Sequence, residues 1–168
     1  MRLFVAVWPP ADVVAQLAAL PRPEIDGVRW TTPDQWHVTL RFLGELGGPE
    51  ELSSVLRGTA LPRASAVLGP VAEAPSPTLL WFPVSGLDAL AAAVIGATGG
   101  VGRPAEREFR GHLTLARARP RAPRSLLRRL PRLELAARWE VGEVTVVRST
   151  TGGAGSRYDV VERFPTGA

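Results

Sequence analysis

The amino-acid sequence predicts an α+β fold in which antiparallel sheets and flanking helices form two pseudo-symmetric lobes with a cleft between them. Short strand-like segments outnumber the segments with helical spacing along the sequence. The order strand, helix, strand, helix, strand recurs around a phrase that occurs twice, HVTL at 37–40 and HLTL at 112–115. No low-complexity linker divides the chain, so we expect one bilobal domain over residues 1–168.

In the first half of the chain, prolines and charges mark where the elements begin and end. We expect strands at 2–7, 28–31 and 36–43, and helices at 11–20 and 49–57. The first helix follows Pro10, which suits a first-turn position, and Pro21 closes it. Glu50 and Glu51 place negative charge in the first turn of the second helix, where the helix dipole favours it.

The second half of the chain shows similar punctuation. We expect strands at 66–74, 79–84, 109–116, 137–141, 143–149 and 157–164, a helix at 87–97, and a further helix within 120–131. Pro75 and Pro77 separate the first two of these strands, and Gly99-Gly100 ends the apolar helix. The helix at 120–131 is short and basic. The glycine-rich stretch 151–156 is typical of a turn between the last two strands.

The residue types that the chain lacks exclude several kinds of chemistry. There is no cysteine, which excludes disulfides, thiolate zinc sites and thiol nucleophiles. All 20 basic side chains are arginine, so no lysine is available as a Schiff-base former or a tuned base. His37 and His112 are the only histidines, and they are the only side chains with an ordinary pKa near 7.

Composition also predicts where the protein is found. A hydrophobic content of 45% with 21% charged residues is typical of a globular protein. No apolar run approaches the length of a membrane span, and the opening MRLFVAV is too short and too strand-like for the apolar region of a signal peptide. We therefore expect a cytoplasmic monomer that does not bind membranes.

Arginine is concentrated in one stretch of the sequence. Eleven arginines lie from Arg103 to Arg138, against three glutamates, Glu106, Glu108 and Glu134. The guanidinium fork pairs with two phosphate oxygens, so this excess favours a phosphate-bearing partner such as RNA. Composition leaves an alternative open, namely a solvated arginine-rich surface produced by GC-rich codon usage.

The repeated phrase places an imidazole and a hydroxyl on the same face of a strand. Two-residue alternation sends each histidine and its threonine to one side and the apolar residues between them into a core. An imidazole can give or take a proton near neutral pH, and a threonine hydroxyl donates a hydrogen bond without changing charge. Two such strands facing each other would hold an anion between His37, Thr39, His112 and Thr114, an arrangement that suits opening a phosphodiester ring.

Plainer interpretations exist for the same residues. The histidines could be core residues or metal ligands, although two histidines without HxxxH or carboxylate spacing fall short of a zinc set, so we expect no metal and no other cofactor. Thr39 and Thr114 could simply favour strands. Arg41, four residues after His37, shares its face on a regular strand. The candidates for stacking a base are Trp30, Trp36, Trp81, Phe82 and Tyr158.

Three longer phrases together resemble the 2H phosphoesterase superfamily. They are WHVTLRFLGE at 36–45, HLTLAR at 112–117, and the ending from Arg148-Ser149 through Tyr158 to Phe164-Pro165. Within that superfamily the chain looks most like the bacterial RNA 2′,3′-cyclic phosphodiesterases, also called 2′-5′ RNA ligases. The resemblance implies two lobes around a cleft and a metal-free hydrolysis of an RNA-terminal 2′,3′-cyclic phosphate to a 2′-phosphate.

The resemblance also implies roles for individual residues. His37 and His112 match the acid/base pair, with His37 as the acid and His112 as the base, an assignment that the sequence itself leaves open. Thr39 and Thr114 match the hydroxyls that bind phosphate, and Arg117 matches an arginine that contacts it. Arg117 lies five residues after His112, so a regular strand would turn it to the opposite face unless the strand bends near Ala116.

One position departs from the pattern. The second motif is often preceded by proline, and here Gly111 stands there, which predicts a looser backbone where the strand begins. Two alternatives for the function stay open: another 2H reaction, such as 2′-5′ RNA ligation or opening of an ADP-ribose cyclic phosphate, and a module that binds RNA ends without turnover. Both would use the same cleft.

Overall fold

The computed structural model describes residues 1–152 and 155–167, which contain ten strands and three α-helices. In chain order they are β1 (Arg2–Val7), α1 (Ala11–Ala18), β2 (Val28–Trp30), β3 (Val38–Glu45), α2 (Glu50–Arg57), β4 (Ala64–Leu68), β5 (Glu73–Ser76), β6 (Leu79–Ser85), α3 (Asp88–Ala97), β7 (His112–Ala118), β8 (Ala137–Val141), β9 (Glu143–Gly152) and β10 (Gly155–Pro165). Short 3₁₀ turns lie at Pro33–Gln35 and Leu127–Arg129. The predicted α+β class is confirmed.

The strands form two antiparallel halves with matching order. The full order is β10-β9-β1-β3-β7-β6-β4-β8, with β2 paired to β7 and β5 paired to β6. Read outward from the centre, one half is β3-β1-β9-β10 and the other is β7-β6-β4-β8. Each half therefore places one HxTL strand innermost, as the expectation of two pseudo-symmetric lobes requires.

The two halves meet at a single strand-to-strand pair, Val38 of β3 opposite Leu113 of β7. Both side chains are completely buried. Because the strands are antiparallel, His37 lies on the Thr114 side of this pair and Thr39 lies on the His112 side. The central pair therefore brings the two motifs together.

Each HxTL strand contains a bulge at the leucine of its motif. Where β1 pairs with β3, Val5 lies opposite Arg41 and Ala6 opposite Thr39, so Leu40 is an extra residue. Where β6 pairs with β7, Leu115 is the extra residue in the same way. A bulge shifts the alternation of side chains by one residue. Each side chain beyond the bulge therefore points to the face opposite the one it would have on a regular strand.

The main core lies on the helix-covered face of the sheet. Its central residues are Leu3, Val5 and Val7 of β1, Val13 and Leu17 of α1, Leu52 and Leu56 of α2, Leu90 and Val94 of α3, and Phe82 of β6. A smaller cluster on the other face of β1 contains Phe4, Ala6 and Val147, with Trp8 and Tyr158 packed against it. Phe4 and Tyr158 of this smaller cluster line the cleft.

Two predicted elements are wrong. The strand expected at 66–74 is two strands, β4 and β5, interrupted at Gly69, whose φ is +94° and where a Cβ would lie 1.8 Å from the Leu135 carbonyl oxygen. The helix expected at 120–131 contains only the turn Leu127–Arg129. Pro123 disrupts that segment because it lacks a backbone N–H donor, and the closely spaced arginines of the segment repel one another.

The other boundaries agree to within a few residues. The turn expected at 151–156 includes residues 153–154, which lie outside the described residues, while the residues on either side of that gap belong to β9 and β10. No helix in the described ranges is long and apolar enough to cross a membrane.

Candidate active site

One cavity of about 410 Å³ collects every site residue that the sequence predicts. His37, Thr39, His112, Thr114 and Arg117 all line it. The four motif side chains project from the same face of the sheet, opposite the buried Val38 and Leu113, because of the register across the central pair. The motifs therefore form one quartet around a shared space.

Equivalent hydrogen bonds hold both imidazoles. His37 Nδ1 is 2.8 Å from the backbone oxygen of Gln35, and His112 Nδ1 is 2.7 Å from that of Arg110. In each case the acceptor lies two residues before the histidine. Since a carbonyl oxygen can only accept, each Nδ1 carries the proton, and the neutral ring leaves the lone pair on Nε2.

The His37 ring lies in an aromatic setting. Its centroid is 5.0 Å from that of Phe4, 5.3 Å from that of Trp8 and 4.9 Å from that of Tyr158. Its Nε2 is 3.1 Å from the hydroxyl oxygen of Thr39. The apolar surroundings disfavour a charge on this ring, while the hydroxyl orients it.

Burial keeps His37 neutral in the free protein. Its pKa is lowered from 6.5 to about 4, chiefly because burial penalises the imidazolium. The hydrogen bond to Gln35 opposes the shift, and the charge of Arg117, together with that of His112 when it is protonated, adds to it. A bound anion would act in the opposite sense and raise this pKa.

His112 has a related but more open setting. Its ring stacks on Trp81 with centroids 4.0 Å apart and an interplanar angle of 31°. The pKa of His112 is also lowered, first by burial and then by the charges of Arg110 and Arg117, while its bond to the Arg110 carbonyl opposes the shift. Both imidazoles are therefore neutral near pH 7 when the cleft holds no anion.

The two bulges decide which later side chains reach the cleft. Beyond Leu115 the alternation is inverted, so Arg117 faces the cleft with the second motif, as the bend expected near Ala116 requires. Beyond Leu40 the same inversion turns Phe42 into the cleft and Arg41 away from it. The expectation that Arg41 shares the face of His37 is wrong, because it assumed a regular strand.

Thr31 stabilises the second bulge. Its hydroxyl lies 2.8 Å from the carbonyl oxygens of both Thr114 and Leu115, and its amide donates to the Leu115 oxygen at 2.8 Å. Trp36 Nε1 donates to the same hydroxyl at 3.0 Å. Sequence reasoning missed Thr31, because its role depends on carbonyls that only the bulge makes available.

Gly111 is required by close packing. A Cβ there would lie 2.1 Å from the carbonyl oxygen of Val84, and the Val84 amide donates to the Gly111 oxygen at 2.9 Å. The backbone before His112 is therefore hydrogen-bonded and close to its neighbour. The expectation of a loose start to this strand is wrong.

The cleft is strongly cationic. Besides Arg117, it is lined by Arg2 and Arg29, and no carboxylate side chain lines the cavity in the described part of the chain. Within the same ranges Arg117 forms no ion pair, so its guanidinium is available to a ligand. Sequence reasoning missed Arg2 and Arg29, which come from β1 and β2 and are distant from both motifs in the sequence.

Other polar and aromatic lining residues come from segments outside the motifs. Gln35 Nε2 donates to the backbone oxygen of Ser156 at 2.6 Å, which ties the loop before β3 to β10.

The aromatic candidates lie in different places. Tyr158 lines the cavity and Trp81 stacks on His112, whereas Trp36 and Phe82 are buried in the core and Trp30 packs against it. Phe4 and Phe42 also line the cavity and were missed.

The donor set bears on metal binding. Among residues 1–152 and 155–167, no three His, Asp or Glu side chains are grouped to hold a metal ion. The absence of a metal from the reaction remains a prediction.

Comparison with known proteins identifies the class. The family model described as the 2′-5′ RNA ligase superfamily matches residues 9–153. The chain therefore belongs to this superfamily, a group of 2H phosphoesterases, and the resemblance predicted from its motifs is confirmed.

Individual relatives are consistent with this assignment. A Thermus thermophilus protein named RNA 2′,3′-cyclic phosphodiesterase is 30% identical over an alignment 184 residues long. The alignment covers 98% of this chain and 89% of the relative. The crystal structure of TT0787, also from Thermus thermophilus, matches with a TM-score of 0.78 and 28% identity, covering 98% of this chain and 97% of that one. Escherichia coli LigT complexed with 3′-AMP matches with a TM-score of 0.76 and 26% identity, over the same shares of the two chains.

Proposed function

We propose that this protein hydrolyses the 2′,3′-cyclic phosphate at the end of an RNA chain to a 2′-phosphate, without a metal ion. The observation that carries the proposal is the quartet. Two histidines with the same tautomer and two threonines line one cavity, together with Arg117, which forms no ion pair among the described residues. The name of the Thermus thermophilus relative supports the same substrate class.

The reaction needs one proton to be taken and another to be given. A water oxygen attacks phosphorus, and the neutral Nε2 of one histidine accepts the proton of that water. The bond between phosphorus and the ribose 3′-oxygen breaks, and the protonated Nε2 of the other histidine donates a proton to that oxygen. The products are a 2′-phosphomonoester and a free 3′-hydroxyl.

The remaining side chains stabilise the charge that develops on the phosphoryl oxygens. Thr39 and Thr114 each offer a hydroxyl, and Arg117 offers a guanidinium fork from the same face. The hydrogen bonds to the two imidazoles are equivalent, so the geometry is compatible with His37 as the acid and His112 as the base. Arg2 and Arg29 add positive potential that attracts a polyanionic substrate.

The direct test is incubation of the protein with an oligoribonucleotide that ends in a 2′,3′-cyclic phosphate, in excess EDTA. We expect turnover to a 2′-phosphate, identified by ³¹P NMR, because the cleft supplies its own cations and proton donors. Absence of turnover, or activity that returns only with zinc or manganese, would contradict the proposal.

Replacement of the histidines tests whether they act as a pair. Acid and base catalysis contribute roughly 10²–10⁴-fold each, so His37→Ala and His112→Ala should each lower kcat by about that factor. The double variant should lose much less than the product of the two effects, because both protons move in one displacement. Thermal melts of all variants provide the folding control, and near-full turnover in either single variant would exclude the pair mechanism.

The pH profile of kcat/KM belongs to the same experiment. Reaction requires one protonated and one neutral imidazole, so the profile should be bell-shaped, with limbs that belong to the coupled pair. Since both pKa values lie below 6.5 in the free protein, the maximum should fall on the acid side of neutrality. Each alanine variant should lose one limb.

Arg117→Lys tests the orientation imposed by the bulge. Lysine keeps the charge but loses the planar fork, so kcat/KM should fall by about tenfold or more. Arg119→Lys is the matched control, because Arg119 lies just beyond β7, is exposed and pairs with Asp26 at 3.7 Å. Equal kinetics for the two variants would show that Arg117 is an ordinary surface arginine.

A further inference from the structure

A side cavity of about 290 Å³ adjoins the candidate active site. The two cavities share Thr39, Phe42 and His112, so the side cavity is a separate space that meets the cleft beside the second histidine. The rest of its lining consists of Leu40, Arg41, Ile95 and residues 103–110, the segment that leads into β7.

Arg41 is a buried cation without a counter-ion. Its side chain is only 3% exposed, and its Nη2 donates to the backbone oxygen of Arg103 at 2.6 Å. In the described part of the chain its Nε has no hydrogen-bond partner, and no carboxylate pairs with it. Burying a charge in this state costs free energy, and the same burial lowers the pKa of Arg41. An anion in the side cavity would provide the missing partner.

The rest of the lining adds positive charge. Arg103, Arg107 and Arg110 line the side cavity with Arg41, against two carboxylates, Glu106 and Glu108. Arg103 pairs with Glu106 at 3.1 Å and Arg110 with Glu73 at 3.5 Å, both on the exposed surface, where such pairs are weak and easily exchanged for a ligand. Arg107 forms no ion pair within the described ranges.

We propose that the side cavity binds the internucleotide phosphate next to the terminal nucleotide of the RNA substrate. This inference rests on the proposed function, which places the cyclic phosphate between the histidines. The larger cavity, lined by Phe4, Phe42 and Tyr158, has apolar surface for the terminal ribose and base. The RNA chain then leaves the cleft past His112, through a channel lined by cations. The enzyme thereby distinguishes an RNA end from a free cyclic mononucleotide.

Another exit from the cleft offers less to a phosphate. It runs past Met1, Arg2 and Arg148. There Arg148 already pairs with Asp159 at 3.2 Å, and Met1 pairs with Glu45 at 3.1 Å. Among the described residues that line this exit, no buried cation lacks a partner, so the side cavity is the better phosphate site.

Binding of two matched ligands tests the inference without requiring turnover. One ligand is the dinucleotide ApA ending in a 2′-phosphate, and the other differs only in carrying a neutral methylphosphonate between its nucleosides. Calorimetric titration should show wild-type protein binding the phosphodiester about tenfold tighter or more, the ratio expected for charge-assisted hydrogen bonds. Equal affinity for the two ligands would overturn the inference.

Variants locate the binding phosphate. The affinity ratio is the affinity for the phosphodiester divided by that for the methylphosphonate. Arg107→Ala and Arg41→Met should each bring this ratio toward one. Arg124 is exposed and lines neither cavity, so Arg124→Ala should leave the ratio unchanged. Replacing a buried charge by an apolar side chain often leaves the stability of the fold unchanged or increases it, so Arg41→Met should have a Tm no lower than that of wild type. Arg107 is exposed, so its variant decides the question even if Arg41→Met fails to fold.

The outcomes separate this inference from the proposed function. A ratio that persists in Arg107→Ala, or that is lost in Arg148→Ala instead, would overturn the side-cavity assignment while hydrolysis could still occur. The protein could also fail to hydrolyse a cyclic phosphate while wild type still prefers the phosphodiester and the variants still lose that preference. That result would contradict the proposed reaction and support the phosphate subsite.

Discussion

The contact between Val38 and Leu113 is the constraint on which the site depends. The two halves of the sheet join at this one strand-to-strand pair, and both side chains are fully buried. Because the strands are antiparallel, the pair lies at the centre of a local pseudo-two-fold arrangement that relates the two HxTL motifs. The same apolar contact that joins the lobes therefore places two imidazoles and two hydroxyls around one space, so stability and site geometry have a common origin.

The electrostatics of the cleft follow from that arrangement. The walls partly bury both histidines and lower their pKa values, while arginines from β1, β2 and β7 line the same cavity without an acidic side chain among the described residues. A phosphate ester would bring negative charge to this cationic lining. Binding an anion would also make it easier to protonate one histidine, which links substrate binding to the creation of an acid.

The sequence predicts the motif pair, the fold class and the residues of the quartet, because period-two alternation and an exact repeat are local signals. Local alternation does not show where a bulge lies. Arg41 was placed on a regular strand, and the extra residue at Leu40 reverses that placement, whereas Arg117 reaches the cleft through the bulge at Leu115, the bend that its predicted role required. Thr31 and Arg29 reach the site through pairing between strands distant in sequence, which no local pattern records. The segment at 120–131 was expected to hold a short basic helix, and it forms only the 3₁₀ turn Leu127–Arg129.

NMR titration of the two histidines tests most directly the claim that the motifs share one anion. The protein has only two histidines, so His37→Gln and His112→Gln assign their resonances without ambiguity. In the free protein both should titrate below 6.5, with His37 near pH 4. Saturation with adenosine 2′-monophosphate should raise both pKa values together, since one negative charge near both rings stabilises both imidazolium forms. A ligand that raises the pKa of only one histidine, or of neither, would contradict the claim that the two motifs share one site.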